Sequence, residues 1–284
     1  MHIFKEIGSL KAYLNHARSS QSTVGLVPTM GALHPGHISL IKASRTENSI
    51  TVCSIYINPT QFNNPADLAK YPRTLEQDVS MLQDNGCDVV FCPENTMMYP
   101  GPSQISFDFG SLDKVLEGEF RPGHFSGVAR VVSKLFNIVH PDRVYFGQKD
   151  YQQFKVIERL VEELKFDLLL QCKPIVREND GLAMSSRNKR LNPEERNRAL
   201  ILYQCLKQTQ QRVLSGESFS LVRTEMAILC QRQGIKMEYL ALADIENFTL
   251  LENVVLPERT ILLIAAYVGD VRLIDNLFLK ENTI

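Results

Sequence analysis

No sign of charge dominates this chain: 31 Lys plus Arg stand against 32 Asp plus Glu, a formal net charge of -1. A general nucleic-acid binder carries a basic excess or stripe, so no nucleic-acid partner is expected. The six cysteines, Cys53, Cys87, Cys92, Cys172, Cys205 and Cys230, include no C-x-x-C pair. No histidine lies near them at zinc-finger spacing, so they read as reduced thiols buried as small hydrophobes. The longest apolar run, 261–268, is far too short to cross a bilayer. The opening residues MHIFKEIGSLKAYLNHARSS lack an apolar h-region and a cleavage signal, so no secretory leader is expected. Together these absences predict a soluble cytoplasmic protein with no membrane partner.

What is present is ordinary globular composition. With 284 residues, 44% hydrophobic and 22% charged, the chain is long enough to bury a core without disulfide or metal staples. That excludes a small disulfide scaffold, collagen and a disordered tail. Short apolar runs alternate with helix-length amphipathic stretches up to residue 176, which predicts a parallel sheet built from βαβ units. The predicted strands are 23–27, 50–57, 88–91, 143–146 and 168–176. The predicted helices are 36–48, 74–85, 127–139 and 151–164, with Thr74 as an N-cap, Gly86 as a stop and Pro141 ending the third. After residue 176 the texture changes. A polar stretch, 177–190, reads as a loop, followed by helices 193–214 and 219–233 and strands 237–244, 260–268 and 271–279. The last two flank Gly269-Asp270, a hairpin signal. The expected fold class is α/β, a Rossmann-like parallel sheet over residues 1–176 with a second, smaller α+β lid domain over 177–284.

The segment with the most chemistry is 28–37, PTMGALHPGH, between a buried strand and a helix. Gly31 permits a tight turn and Gly36 a close approach to the helix start. That start offers N–H groups and a positive dipole end, a seat for phosphate. His34 and His37 flank it, and an imidazole can donate a hydrogen bond or a positive charge to a phosphate whose charge is growing. A pair of histidines at such a corner favours function over the alternative of caps or satisfied core groups.

Five further motifs stand beside it. Asn58 and Gln61, in YINPTQF, are amides that can bind hydroxyls and a carboxylate without adding charge; an Asn-Pro turn is the plainer reading. In YPRTLEQD, Arg73 can face phosphates and Asp78 can reach Mg²⁺ indirectly, although acidic residues favour first helical turns in any case. Arg121 and His124, in RPGHFSG, are candidates in a turn-rich loop where Ser126 would otherwise serve as an N-cap. GQKDYQQ, 147–153, opens a second strand–helix corner: Lys149 can neutralise a phosphate, and Asp150 can cap the helix or bind a ribose hydroxyl. Finally MSSR, 184–187, lies in the polar loop; Ser185 and Ser186 can donate to phosphate oxygens and Arg187 can bind them in a fork.

P-T-M-G-A-L-H-x-G-H resembles the H-x-G-H signature of the nucleotidylyltransferase superfamily, relatives of the class I aminoacyl-tRNA synthetases. With the surrounding motifs, nearly the whole chain resembles the pantoate–β-alanine ligase family. MSSR is similar to the superfamily's K-M-S-K-S-type loop, and many relatives have Glu where this chain has Gln148. The resemblance implies an amide-forming, AMP-forming ligase with pantoate, β-alanine and ATP as substrates, proceeding through a pantoyl adenylate. Mg²⁺ would accompany ATP, and no tightly bound organic cofactor is implied. ATP would meet Met30, Gly31, Ala32, Leu33, His34, Pro35, Gly36 and His37. It would also meet Gly147, Gln148, Lys149 and Asp150, the backbone at Val176, and Met184, Ser185, Ser186 and Arg187. Pantoate and β-alanine would lie against Asn58, Gln61 and Gln153. His37, His34, Lys149 and Arg187 are expected to carry the catalysis, His37 foremost. The two phosphate motifs would act on opposite sides of one triphosphate, the MSSR loop closing on it. The family suggests a homodimer. An adenylyltransferase that stops after moving AMP would share H-x-G-H but has no use for Asn58 and Gln61. A non-catalytic ATP binder would tolerate loss of His37 or Lys149, and both are present.

Overall fold

Parallel strands covered on both faces need continuous apolar runs, and the first part of the chain supplies them. The computed structural model describes residues 1–280. Its strands β1 (His2–Phe4), β2 (Val24–Thr29), β3 (Ile50–Ile55), β4 (Val89–Phe91), β5 (Arg143–Gly147) and β6 (Leu169–Lys173) form one parallel sheet. Their order is β1-β4-β3-β2-β5-β6, with every pair parallel. The chain winds outward from β2 in one direction and from β5 in the other, so β2 and β5 flank the switch point where open α/β sheets receive ligands.

The helices of this sheet are α1 (Ile7–Arg18), α2 (Pro35–Glu47), α3 (Pro65–Lys70), α4 (Leu75–Asp84), α5 (Asn95–Met98), α6 (Glu117–Phe120), α7 (His124–Val139) and α8 (Tyr151–Leu164). Ile38, Leu40 and Ile41 of α2 and Leu82 of α4 pack with Val27, Cys53, Val90 and Tyr145 of the strands in one core. Strand β2 runs through Pro28, past the expected end at Val27. Alternate residues of β2 face β3 and β5; Pro28 faces the β5 side, beyond the last β2–β5 pair at Leu26 and Val144, so its missing N–H breaks no ladder bond. Helix α7 begins three residues before the expected 127, at a left-handed Gly123, φ 81°. Ser126 therefore lies inside it, and its hydroxyl accepts from the Phe107 N–H. Thr74 does precede α4, but its hydroxyl donates to Asp78 and makes no capping bond.

The second part of the chain carries α9 (Pro193–Arg198), α10 (Leu200–Leu214), α11 (Phe219–Arg232), β7 (Ile235–Asp244), β8 (Leu250–Leu251), β9 (Thr260–Val268) and β10 (Val271–Phe278). The four strands form an antiparallel sheet, β10-β9-β7-β8, and β9–β10 is the expected hairpin, with Gly269 at φ +57°. Helices α10 and α11 cover one face, closing a core of Leu202, Leu206, Val222, Met226, Leu262 and Ile264. The stretch 193–214, expected as one helix, divides at Ala199.

Two units result: one holds 1–147 and 152–173, the other 148–151 and 174 onward, residues 281–284 lying outside the described part. The expected domains were 1–176 and 177–284. No described helix is long and apolar enough to cross a membrane. All six cysteines are free thiols, five of them buried. Burial pushes the Cys87 and Cys172 thiols up to about 12.

Candidate active site

The corner after β2 is assembled by hydrogen bonds donated to one carboxylate. Thr29 donates its hydroxyl to the Ser54 carbonyl at 2.7 Å and accepts from the Gly31 N–H. Gly31 and Ala32 both adopt positive φ, +77° and +50°, which turns the chain sharply. The next two N–H groups, of Ala32 and Leu33, donate to Asp78 at 2.9 and 2.8 Å, and the Thr74 hydroxyl donates to the same carboxylate. Asp78 is 2% exposed. It reaches the corner from α4 and leaves Gly31 no room to spare: a Cβ there would sit 3.0 Å from its oxygen. The structure thus gives Asp78 the task of holding the corner. Among the described residues there is no group of three or more His, Cys, Asp or Glu that could hold a metal ion.

Beyond Leu33 the corner opens into α2. His34 is the N-cap: its Nδ1 accepts the Gly36 N–H at 3.2 Å, and Pro35 takes the first helical position. An imidazole whose Nδ1 accepts carries its neutral-form proton on Nε2. The ring of His37 lies one turn on, its centroid 4.0 Å from that of His34. Both imidazoles are half-buried at the positive end of a 13-residue helix.

Met30, at the head of the corner, touches the second motif: Gln61 Nε2 lies 3.0 Å from its sulfur. Gln61 sits in a 3-10 turn, Pro59–Gln61, directly after β3. Its side chain is oriented by Asn58, whose Nδ2 donates to Gln61 Oε1 at 3.0 Å and to the Gly127 carbonyl at 3.1 Å. Asn58 Oδ1 accepts from Tyr99 Oη and from Thr60. Burial raises the Tyr99 phenol, so it stays a neutral donor. Both amide hydrogens of Asn58 are therefore engaged inside the protein, while Gln61 keeps one amide hydrogen with no partner among the described residues. Arg121 and His124 meet the same turn from behind, on the Gln61 carbonyl at 3.4 and 2.8 Å, and Glu117 pairs with Arg121. Gln153 is half-buried on the first turn of α8 and its side chain makes no hydrogen bond among the described residues, whereas the side chain of its neighbour Gln152 is buried and bonded to Leu112, Val115 and Glu117. Gly147 ends β5 opposite Lys173. Arg73 is exposed in the approach to α4.

The second unit collects the remaining candidates. Gln148, Lys149 and Asp150 form a 3-10 turn, with Lys149 Nζ 4.0 Å from Asp150. The Val176 carbonyl accepts the Met184 N–H at 3.0 Å, and Arg177 bridges to Ala183, so the polar loop is a closed turn that delivers Met184, Ser185, Ser186 and Arg187. Ser185 caps the 3-10 turn Ser186–Arg190 through the Arg187 N–H, and Ser186 is buried.

The residues that tie these two segments together, Arg177, Asp275 and Asn276, escape a motif-based reading. Their signal is a pair of adjacent polar residues inside the apolar stretch 271–279, which a strand of that kind has no packing reason to hold.

The family model for pantoate-beta-alanine ligase matches residues 2–278. The chain belongs to the pantoate–β-alanine ligase family. Its relatives include the pantothenate synthetases of Bacteroides fragilis, 44% identical over 99% of this chain and all of that one, and of Aquifex aeolicus, 46% identical over 96% and 97%. The pantothenate synthetase of Thermus thermophilus superposes with a TM-score of 0.91 at 38% identity, covering 99% of this chain and all of that one. The Francisella tularensis enzyme, solved with β,γ-ATP and β-alanine, gives 0.83 at 34% identity over 99% of both chains. The fold and family expected from the motifs are those found, and members of this family are ligases that form an amide bond.

Proposed function

We propose that this chain condenses pantoate with β-alanine in two steps at the expense of ATP. The pantoate carboxylate attacks the α-phosphorus, forming pantoyl adenylate and releasing pyrophosphate. The β-alanine amine then attacks the acyl carbonyl and loses a proton, and AMP leaves. A carboxylate resists displacement by an amine, whereas its mixed anhydride with AMP does not. The single observation that carries this reading is the pair of imidazoles 4.0 Å apart at the start of α2, in a chain matched to one ligase family from residue 2 to 278.

The protein's task is positional and electrostatic. His34 and His37 donate to phosphate oxygens as charge builds on them; Lys149, Ser185, Ser186 and Arg187 neutralise and hold the same nucleotide. The backbone of Met30–His37, Gly147, the Gln148–Asp150 turn, Val176 and Met184 completes the nucleotide contacts. Gln61 and Gln153 hold pantoate, with Asn58 orienting Gln61 and lying beside the substrates. Mg²⁺ enters as part of the substrate, on the ATP phosphates. The enzyme works in the cytoplasm as a homodimer.

Purified protein given ATP, Mg²⁺ and pantoate should release pyrophosphate. AMP should accumulate with continued turnover only when β-alanine is added. Pyrophosphate release that is indifferent to pantoate would sink the reading.

A further inference from the structure

Strand β10 carries two adjacent polar residues, Asp275 and Asn276, exposed by 4% and 1%. Burying a carboxylate and an amide is unfavourable unless every donor and acceptor is matched. The matching groups here belong to the two segments assigned to phosphate. Asn276 Nδ2 donates to the carbonyls of Gln148 and Lys149, each at 2.9 Å, and its Oδ1 accepts from Gln148 Nε2 at 3.1 Å. Two successive peptides are pinned on one amide group, which sets where the Lys149 stem leaves the backbone.

Asp275 takes the Arg177 guanidinium in a fork, at 2.6 and 2.9 Å. The same guanidinium donates to the carbonyls of Gly181 and Asn276, and lies over the Tyr203 ring at 3.9 Å. Gly181, at φ +99°, is wedged against that ring; a Cβ there would come within 2.5 Å of it. Arg177 thus ties both ends of the turn that leads directly into Met184–Arg187. Strand β10 can serve as the fixed point because it is paired with β9 along its whole length.

We propose that Asp275 and Asn276 are a positioning pair: Asn276 sets the peptide that presents Lys149, and Asp275, through Arg177, sets the loop that presents Ser185, Ser186 and Arg187. The proposal rests on the roles given above to Lys149 and that loop. It extends them by naming the element that keeps both in register with one another. Neither residue of the pair touches phosphate.

A double-mutant cycle on pyrophosphate release by the full-length enzyme tests it. Asn276→Ala should lower kcat by ~10²-fold, the scale of a misplacement of about an ångström, with KM for pantoate unchanged. In a Lys149→Ala background the same substitution should cost little more, because Asn276 acts through Lys149. Asn276→Ser, which keeps one donor, should recover part of the rate and serves if the alanine variant does not fold. Asp275→Asn should behave likewise against Arg187→Ala. Wild-type kcat in both Asn276 variants, with Lys149→Ala impaired, would overturn the positioning pair and leave the reading of Lys149 standing. A Lys149→Ala enzyme at full rate would overturn both. An Asn276 loss that adds in full to the Lys149 loss would show general damage and also overturn the pair.

Discussion

An imidazole that caps its own helix is held still before any ligand arrives. His34 is fixed by the Gly36 N–H and directs its proton-bearing nitrogen elsewhere, and His37 sits one turn along beside it. Such preorganised donors act on a developing charge without reorganising. His37→Ala should therefore cut the pantoate-dependent rate of pyrophosphate release by at least ~10²-fold, the scale for losing one preorganised donor. A folded variant with near-wild-type release would remove the role. Asp78 works at the same scale. Asp78→Ala leaves the buried N–H groups of Ala32 and Leu33 unmatched, and should cost about 1–3 kcal/mol per unmatched group, read as a fall in the urea-unfolding free energy. The same variant should lower adenylation even with excess Mg²⁺, because the carboxylate holds the corner through the Ala32 and Leu33 N–H groups.

Between elements, α7 approaches the 59–61 turn closely at Gly127. A Cβ on Gly127 would lie 2.2 Å from the Thr60 carbonyl oxygen, and both groups are backbone, so something must move. Gly127→Ala should push the turn off α7, break the Asn58 bond to the Gly127 carbonyl and displace Gln61. The expected outcome is a raised KM for pantoate with a smaller change in KM for ATP, checked by steady-state kinetics on the folded variant. This element scale also shows how far the residues speak for themselves. Strand β9 and helix α8 lie where the apolar pattern puts them, because long periodic stretches overdetermine their state. Helix α1 and strand β1 do not announce themselves. The former buries only Leu10 and Leu14, too narrow a stripe to read, and the latter is three residues long. The H-x-G-H and MSSR motifs are legible because their chemistry is local. Asp78 holding Ala32, or Asn276 holding Lys149, is not legible, because each depends on residues far apart in sequence meeting in space.

Across the whole molecule, acid acts on both units through carboxylates kept below their usual range. A hydrogen bond from Lys173 lowers Glu47 in the first unit, and one from Arg196 lowers Asp180 in the second. Each group binds protons more weakly in the folded than in the unfolded state. The stability they contribute is thus complete above the unfolded values, ~4, and is lost as pH falls through the lower folded ones. Urea midpoints should hold from neutral pH to about 5 and fall below it, and Lys173→Met should flatten that fall for the first unit. A midpoint unchanged down to pH 3 would contradict the assignment.

The thiols, five of six of them buried, have a practical consequence for watching this enzyme at work. With Cys87 and Cys172 raised to about 12 by burial, and no sulfur given a part in the chemistry, maleimide dyes should find the native chain nearly inert at neutral pH. A single Lys189→Cys substitution, on the exposed tip of the serine–arginine turn, would then carry the only fast-labelling handle, and a fluorophore there could report nucleotide arrival in real time without first stripping out the natural cysteines.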